Sequence, residues 1–429
     1  MEILFKYNKT KSKDPKGNLE SFVYSENKIK NLNIKDLISL YDEISNYWLS
    51  SNCKIKNVFS SEGLGFVIPY LKKNNTEKIL RQNFSDFSLL DSPRANTFKI
   101  NTSFAYPMGI AVHWIAGNVP VLGVISLFQS LLTKNKSIVK VPQAYKEILP
   151  LIFSDLKKNL NYFGKHKSNL EVLLSSTLIL YMDRDDDYQK KLSEIADVRI
   201  AWGGLDAIQD ISNLPKKISC RDLIFGPKLS LAIVGKEKLQ TKKDIVKLSN
   251  LLANDIFPFD QAGCNAPHNL VIEKGSNFKT EYIAEIMNSV FKEKIKKIST
   301  KNSPIDSYNV LLRKFVNESM KDNFSISSES NLTNIFYSKK NKIIIEEPLF
   351  ARSIFISITK NLNNIKNHLP TNIQSVGTYM SDKKKIELIS NLSPYGVDRF
   401  PDLGKMSLYQ NPWDGYLPLQ SMVRWISYK

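Results

Sequence analysis

The chain has 429 residues, 42% of them hydrophobic and 24% charged, which suits folded domains and excludes a disordered chain. Its three cysteines, Cys53, Cys220 and Cys264, form no C-x-x-C pair, which argues against a disulfide framework or a zinc site. The net charge of +18 comes from lysines scattered along the chain without interleaved aromatic residues, so we do not expect nucleic-acid binding.

The N-terminal part carries one clear helical pattern. Residues 32–49 place apolar side chains at helical spacing and predict an amphipathic helix. The opening stretch MEILFKYNKTKSKDPKGN lacks the apolar core of a signal peptide, and no segment approaches about 18 uninterrupted apolar residues. We therefore expect a cytoplasmic protein without a membrane span.

Strand and helix patterns alternate from about residue 105 to residue 229. Residues 109–120, 137–142, 171–182 and 197–204 predict strands, whereas 120–136 and 186–196 predict helices. This alternation is typical of a parallel sheet with right-handed crossovers, so the region predicts a doubly wound nucleotide-binding layer.

A second α/β pattern follows. It comprises a strand within 225–235, a helix over 242–255, a loop carrying Cys264, the strand 269–273 and a long helix through 283–297. Later strands are predicted at 341–347, 351–358 and 375–380, and the apolar tail 413–429 is expected to pack onto the fold. The sequence thus predicts four parts: 1–90, 91–229, 230–395 and a C-terminal segment 396–429.

Cys264 lies on a short polar loop, QAGCNAPHN, directly before an apolar strand. A thiolate nucleophile needs exposure and nearby hydrogen-bond donors for an oxyanion, and small Gly263 leaves room for a substrate carbonyl. A structural thiol is the alternative. His268, four residues later, could polarise the thiol, although a proline intervenes.

Other polar residues follow the predicted strands of the first layer. Asn118 could donate to an oxyanion or cap the next helix, and Lys140 could meet a ribose or phosphate. Gly203 and Gly204 stand at a strand-to-helix turn, where they could admit a phosphate or simply mark the turn, because the G-x-G-x-x-G spacing is missing.

Two further groups are interpreted as structural. His113 lies inside an apolar strand and is expected to be a core histidine or a pocket wall. The aspartates at 183, 185, 186 and 187 are expected to cap the helix that begins near Tyr188 rather than to bind a metal.

Taken in order, the segments PMGIAVHWIAGNVP, AWGGLDAI, FGPKLS, QAGCNAPHNLVIE and YGVDRFPDLGKM…WDGYLPLQSMVRWI resemble the LuxC-type long-chain acyl-CoA reductases of the aldehyde dehydrogenase superfamily over about residues 90–429. The resemblance implies an aldehyde-dehydrogenase-like α/β fold with two parallel-sheet domains and a C-terminal segment that packs back for oligomerisation. It also implies a homo-oligomer and an acyl-protein synthetase as a possible partner.

The resemblance implies a role for each matching residue. Cys264 matches the nucleophile and Asn118 the oxyanion donor. Lys140 matches the lysine at the cofactor's adenosine ribose, and Gly203 and Gly204 match the turn near the pyrophosphate. The family's glutamate near the nicotinamide ribose corresponds to Glu346 or Glu347, and the motif EEPLF leaves both open.

Two departures from the superfamily pattern refine the expected reaction. Ile224 stands where hydrolytic members carry the glutamate that activates water, so an acyl-cysteine would persist until hydride transfer. Gln143 stands where members that prefer NAD often carry a glutamate, so a 2′-phosphate would not be repelled and NADP(H) is the expected cofactor. The expected reaction is reduction of an acyl-CoA or acyl-protein thioester, with a fatty acyl group, to an aldehyde. The alternatives are an NAD(P)-dependent aldehyde or semialdehyde dehydrogenase and a non-catalytic scaffold for a synthetase.

Overall fold

The computed structural model describes residues 1–8, 14–61, 63–91, 103–298, 303–320 and 322–428. The chain divides into two compact units, a first unit of residues 1–226 and 410–429 and a second unit of residues 227–409. The division by function, with boundaries at residues 90, 229 and 395, stays a prediction, and the first of these boundaries adjoins residues 92–102, outside the described part.

Strands and helices alternate through most of the chain. The strands are β1 (Glu2–Lys6), β2 (Ser103–Pro107), β3 (Ile110–Trp114), β4 (Lys136–Val141), β5 (Thr177–Tyr181), β6 (Val198–Trp202), β7 (Arg221–Phe225), β8 (Leu229–Val234), β9 (Pro267–Glu273), β10 (Asn323–Ser327), β11 (Asn334–Ser338), β12 (Ser353–Thr359), β13 (Ile373–Tyr379) and β14 (Val423–Ser427). The helices are α1 (Pro15–Tyr24), α2 (Ile34–Leu49), α3 (Lys56–Ser61), α4 (Val67–Leu71), α5 (Lys73–Asn83), α6 (Pro120–Leu132), α7 (Ile148–Lys158), α8 (Lys167–Ser175), α9 (Tyr188–Ile195), α10 (Leu205–Asn213), α11 (Lys242–Ile256), α12 (Thr280–Ile295), α13 (Pro304–Glu318), α14 (Asp382–Leu392) and α15 (Pro418–Ser421).

The first unit is built on a six-stranded sheet in the order β1-β5-β4-β3-β6-β7. Strands β3 to β7 are parallel, and β1 joins the edge antiparallel to β5. Every residue of β6 is buried, as expected for a central strand covered on both faces. The strand order reverses direction between β3 and β6, and in open α/β sheets such a reversal opens a crevice for ligands.

Residues 410–429, the later part of the predicted C-terminal segment, pack back onto the first unit, whereas residues 396–409 belong to the second unit. Strand β14 pairs antiparallel with β2, from Val423 opposite Pro107 to Ser427 opposite Ser103. The Arg221 guanidinium also donates to the Val423 carbonyl at 2.5 Å. The tail is therefore held through backbone pairing as well as through apolar contacts.

The second unit has its own six-stranded sheet, in the order β10-β11-β12-β9-β8-β13, parallel except for β10 at the edge. Helices α11 and α12 cover one face around an apolar cluster that includes Leu248, Leu252 and Phe291. Helix α14 covers an apolar cluster that includes Leu231 and Val376. The sheet places the end of α11 and the start of β9 on either side of the Cys264 loop.

Two predicted strands are wrong in part or in whole. Residues 171–175 belong to helix α8, and the strand begins only at Thr177. Residues 341–347 form no strand: the Asn269 side chain accepts from the Glu346 N–H and donates to the Glu346 carbonyl, both at 2.9 Å, so a side-chain amide replaces the backbone ladder there. Strands β10 and β11 are absent from the sequence prediction, because β10 (NFSIS) has no buried residue and β11 (NIFYS) contains a run of only three apolar residues.

Candidate functional site

A cavity of about 410 Å³ opens in the first unit, at the reversal between β3 and β6. Its wall is formed by the residues that end or follow strands β3, β4, β5 and β6, together with one face of α10 and a residue of α9. They are Trp114, Ile115, Ala116, Gly117, Asn118, Lys140, Pro142, Arg184, Gln189, Trp202, Gly203, Gly204, Ala207, Asp210, Ile211 and Leu214. The structure thus gathers Asn118, Lys140, Gly203 and Gly204, which lie far apart in the sequence, around one cavity.

The strand ends supply polar groups to this cavity. Asn118 is exposed on the loop between β3 and α6. Lys140 is half-buried near the end of β4; burial lowers the pKa of its ammonium, and the nearby carboxylate of Asp183 opposes that shift. One amide and one cation therefore face the space where the sequence predicted a nucleotide.

The glycine turn leaves a helix N-terminus open to the same cavity. Gly204 is the N-cap of α10 and contributes no side chain, and a Cβ added there would meet no atom within 4 Å. The first N–H groups of a helix have no partner within the helix and attract anions. The N-terminus of α10 is therefore open to an anionic group in the cavity.

Aromatic side chains form part of the cavity wall. The Trp202 ring stacks on Phe225 with 3.9 Å between centroids and 14° between planes. The Trp202 Nε1–H is buried and has no hydrogen-bond partner within the part of the chain that the structure describes, so it could donate to a ligand. Trp114 is oriented by a 2.8 Å hydrogen bond from Nε1 to Gln189 Oε1.

A charged pair, Arg184 and Asp210, also lines the cavity. The Arg184 guanidinium donates to the Asp210 carboxylate, and both side chains are more than half exposed. Sequence reasoning missed this pair and both tryptophans. Their positions could have indicated that they line a ligand site, because Trp114 and Trp202 end parallel strands and Arg184 follows β5 by three residues.

Gln143 is the exception among the predicted cofactor residues of the first unit. It is exposed in a short 3₁₀ turn after Pro142 and is not among the residues that line the cavity. Its proposed contact with the cofactor therefore stays a prediction.

Cys264 occupies a tight turn in the second unit. The turn spans Gly263 to Ala266 and is closed by a 2.9 Å hydrogen bond from the Ala266 N–H to the Gly263 carbonyl. The Ser230 hydroxyl donates to the Cys264 carbonyl at 2.7 Å, which fixes the main chain at the cysteine itself. Cys264 is half-buried, whereas Cys53 and Cys220 are buried and burial raises the pKa of both thiols.

The backbone before this turn is held in an uncommon conformation. Phe259, Asp260 and Gln261 all have positive φ angles, 53°, 52° and 69°, although none is glycine. The buried Gln261 side chain donates to the carbonyls of Pro267 and Ser353, at 2.9 and 2.8 Å, and accepts from the Ser353 N–H at 2.7 Å. Contacts of this kind keep a strained segment in place and are common beside active sites.

His113 and His268 are both buried. His113 contacts the hydroxyls of Ser126 and Ser130 at 3.1 and 3.0 Å, and burial lowers its pKa to about 3, which confirms a core histidine. His268 lies in β9 with its ring edge-on to Phe350, and burial lowers its pKa to about 4. A histidine with so low a pKa is a poor base at neutral pH.

Glu346 and Glu347 differ in environment. Glu346 is half-buried and paired with the Arg313 guanidinium, in addition to its backbone bonds to Asn269. Glu347 is exposed. Both lie in the second unit, as Cys264 does.

The aspartate cluster after β5 supports local structure. Asp186 accepts from the Tyr188 N–H at the start of α9 and pairs with the N-terminal ammonium, at 2.9 and 2.8 Å. Across the described residues, no group of three or more His, Cys, Asp or Glu side chains could hold a metal ion.

Among the helices that the structure describes, none is both long and apolar enough to cross a membrane.

Solved structures with similar folds are aldehyde dehydrogenases and related oxidoreductases. An oxidoreductase from Marinobacter aquaeolei matches with a TM-score of 0.65 and 11% identity, covering 96% of this chain and 90% of that one. A NAD-dependent aldehyde dehydrogenase from Sinorhizobium meliloti matches with a TM-score of 0.65 and 10% identity, covering 96% and 86%. At this identity the likeness shows the fold, which is aldehyde-dehydrogenase-like as predicted.

Curated relatives share more sequence. A long-chain acyl-protein thioester reductase from Photobacterium phosphoreum is 23% identical over an alignment of 436 positions, gaps included, which covers 95% of this chain and 83% of that protein. One from Aliivibrio fischeri is 25% identical over 331 residues, and this match spans 76% of the chain but 65% of the relative, slightly less than two thirds of its length. The family model of the LuxC acyl-CoA reductases matches residues 29–425, and the chain therefore belongs to this family.

Proposed function

We propose that this protein uses NADPH to reduce an acyl thioester to an aldehyde through an acyl-Cys264 intermediate. The observation that carries the proposal is Cys264 itself: it is half-buried on a turn whose main chain is fixed, while the other two cysteines are buried. The relatives whose names are long-chain acyl-protein thioester reductases support the same class of reaction.

The thiolate of Cys264 attacks the carbonyl carbon of the donor thioester, and the resulting oxyanion accepts a hydrogen bond from the Asn118 carboxamide. Collapse of this tetrahedral species expels the donor as its thiolate, which takes a proton from water, and leaves the acyl group on Cys264. Lys140, Gly203 and Gly204 would hold the reduced nicotinamide dinucleotide, whose chemistry would be to supply a hydride at the acyl carbon. Collapse of the second tetrahedral species breaks the bond to sulfur, releases the aldehyde and returns the Cys264 thiolate.

Ile224 supports reduction over hydrolysis. It lies in β7 and packs against the apolar cluster of the first unit. In our proposal it takes the place of the superfamily's water-activating glutamate. A hydrocarbon side chain cannot remove a proton from water, so hydrolysis of the acyl-enzyme is not assisted from this position. An acyl-enzyme of longer lifetime is what hydride transfer requires.

The cavity of the first unit supports a nicotinamide dinucleotide as the cofactor. In our proposal Gly203 and Gly204 admit the pyrophosphate to the N-terminus of α10, and Lys140 meets the adenosine ribose. Arg184 and Lys140 line the cavity, and Arg184 is paired with Asp210; in our proposal the Arg184 guanidinium meets the additional 2′-phosphate of NADPH. Gln143 and one of Glu346 and Glu347 complete the proposed set of cofactor contacts.

Further proposals concern the acyl donor, the partner protein and the assembly of the enzyme. The acyl donor is acyl-CoA or an acyl-protein, and the relatives' names favour the protein-bound thioester and a long acyl chain. An acyl-protein synthetase is the proposed supplier, the protein is proposed to be a cytoplasmic homo-oligomer, and the C-terminal segment is proposed to serve that assembly.

Intact-mass spectrometry tests the covalent step directly. The protein is incubated without cofactor against acyl-CoA thioesters of increasing chain length, and the modified residue is mapped after digestion. We expect a single acyl increment on Cys264, none in Cys264→Ala, and an unchanged increment in the control Cys53→Ala. Acylation that persists in Cys264→Ala would refute the covalent mechanism.

Product analysis then separates reduction from oxidation. With NADPH the acylated protein should release an aldehyde and a free thiol, and the ratio of kcat/KM for NADPH over NADH reports the cofactor preference. Formation of a carboxylic acid from an aldehyde with NAD or NADP, without reduction of any thioester, would favour the dehydrogenase alternative.

A further inference from the structure

A segment near the end of the second unit runs along the edge strand β13 and then turns inward. The Val376 and Thr378 N–H groups donate to the carbonyls of Arg399 and Pro401, both at 2.9 Å. At Gly404 φ is +87°, and a Cβ there would lie 2.7 Å from Leu251 Cδ2 on α11. Residues 404–408, which we call the 404–408 loop, therefore approach α11 where only glycine fits.

The end of helix α11 holds this loop through Asp255. The carboxylate accepts the N–H groups of Gly404 and Met406, the latter at 2.8 Å, and its residue is 1% exposed. Burial raises the pKa of Asp255 to about 7, and the N–H donors oppose that shift. A buried carboxylate in the last turn of a helix is unfavourable for both the helix dipole and solvation, so the N–H donors offset a real cost.

The 404–408 loop in turn holds the residue next to Cys264. The Asn265 side chain donates to the Met406 carbonyl at 2.9 Å and is buried. The Arg399 guanidinium also reaches that carbonyl, at 3.4 Å, and the Leu408 carbonyl at 3.3 Å. A continuous path of hydrogen bonds therefore leads from α11 through the loop to the turn that carries the thiol.

We propose that Asp255 and Asn265 are positioning residues that orient the Cys264 thiol for attack on the acyl donor. Ser230 fixes the Cys264 carbonyl from β8, and Asn265 fixes the following residue from the opposite end of the turn. These two anchors, on adjacent residues, hold the main chain from which the Cys264 side chain projects. The catalytic consequence rests on the proposed function, whereas the fixing of the turn does not.

Two kinds of reaction distinguish the orientation of the Cys264 thiol from its exposure. Misplacing a reacting group by about 1 Å can cost on the order of 100-fold in rate, whereas a small alkylating reagent needs only an accessible thiol. Loss of the Asp255 or the Asn265 side chain should therefore lower the rate of acylation from a bulky thioester by about 10- to 100-fold, with little change in KM. Alkylation of Cys264 by iodoacetamide should change by less than about threefold.

The test compares Asp255→Ala and Asn265→Ala with a control at the other end of the same helix, Asp244→Ala. Asp244 forms a capping box with Thr241 at the start of α11, so its loss weakens the helix without contacting the loop. Hydrogen exchange of the amides in 263–266 and 404–408 reports the fixing of the turn, and single-turnover acylation by acyl-CoA reports its catalytic use.

We expect exchange in 263–266 to accelerate at least about tenfold in both variants and to change little in Asp244→Ala. Equal effects in all three variants, or faster exchange with unchanged acylation, would overturn the proposal. If the wild-type protein is not acylated, the proposed function fails by itself, and the exchange data still decide whether the turn is fixed. If Asp255→Ala does not fold, Asn265→Ala carries the same test.

Discussion

The start of helix α6 packs so closely on the end of β3 that a single methyl group should disturb both stability and ligand binding. A Cβ at Gly123 would lie 2.4 Å from Ile115 Cγ2 and 2.7 Å from Ile115 Cβ. Ordinary contacts begin at 3.4 Å, so α6 and Ile115 must separate by about 1 Å to accept Gly123→Ala. Overpacking of this kind costs about 1–3 kcal/mol.

Helix propensity works in the opposite direction, because alanine favours a helix over glycine by about 1 kcal/mol. Gly17→Ala is the matched control: Gly17 also lies near the start of a helix, α1, and a Cβ there would meet nothing nearer than the end of the Asp14 side chain, at 3.2 Å. We expect Gly17→Ala to be neutral or stabilising and Gly123→Ala to be less stable than Gly17→Ala by about 1–3 kcal/mol in denaturant unfolding.

The separation of α6 from Ile115 in Gly123→Ala should also change the shape of the cavity. Residues 116–118 connect Ile115 to α6 and line the cavity, so NADPH should bind more weakly to Gly123→Ala than to Gly17→Ala, as measured by quenching of tryptophan fluorescence from Trp114 and Trp202. Equal stability of the two variants would refute the packing argument, and equal affinity for NADPH would refute its extension to the cavity.

Three further predictions concern single side chains. Asn118→Ala should lower kcat of thioester reduction by about 100- to 1000-fold if its carboxamide stabilises the oxyanion, with acylation of Cys264 slowed in single-turnover mass measurements. Arg184→Ala should lower the ratio of NADPH to NADH affinity in binding titrations and leave NADH affinity nearly unchanged, since the guanidinium lines the cavity. Burial lowers the pKa of His113 to about 3, so the unfolded chain binds one proton more than the folded chain between pH 6.5 and 3. The free energy of unfolding should therefore fall as the pH drops below 6.5, by up to about 2 kcal/mol near pH 5. His113→Gln should remove this part of the pH dependence, as measured by denaturant unfolding at several pH values.

The sequence predicts the central strands well because their patterns are local. Strands β3, β4 and β6 are short apolar runs that end at glycine, asparagine or proline, and a parallel sheet brings such ends to one edge. Asn118, Lys140, Gly203 and Gly204 could therefore be placed at one cavity from their positions alone. The amphipathic pattern over residues 32–49 likewise gives α2, Ile34–Leu49.

Features held by distant side chains could not be predicted in this way. Nothing in the sequence around 341–347 shows that the Asn269 amide replaces a strand partner. The residues Phe350, Ala351 and Arg352 repeat the positive φ angles found at 259–261, again without glycine. The Arg352 guanidinium joins the two segments by its ion pair with Asp260, a contact across 92 positions of the chain.

These long-range contacts lie next to residues for which the sequence predicts a role in the reaction. The segment 259–261 leads directly into the Cys264 turn, and its partner 350–352 follows the motif that carries Glu346 and Glu347. The backbone preferences of these residues alone would move both segments to negative φ, since a left-handed conformation is unfavourable for non-glycine residues. The ion pair of Asp260 with Arg352, the bonds of Gln261 to Ser353 and the anchors of Asn265 and Ser230 all act against that relaxation. Contacts between distant parts of the chain therefore converge on the main chain around Cys264, which is expected if this thiol is the nucleophile that we propose and its direction decides the rate.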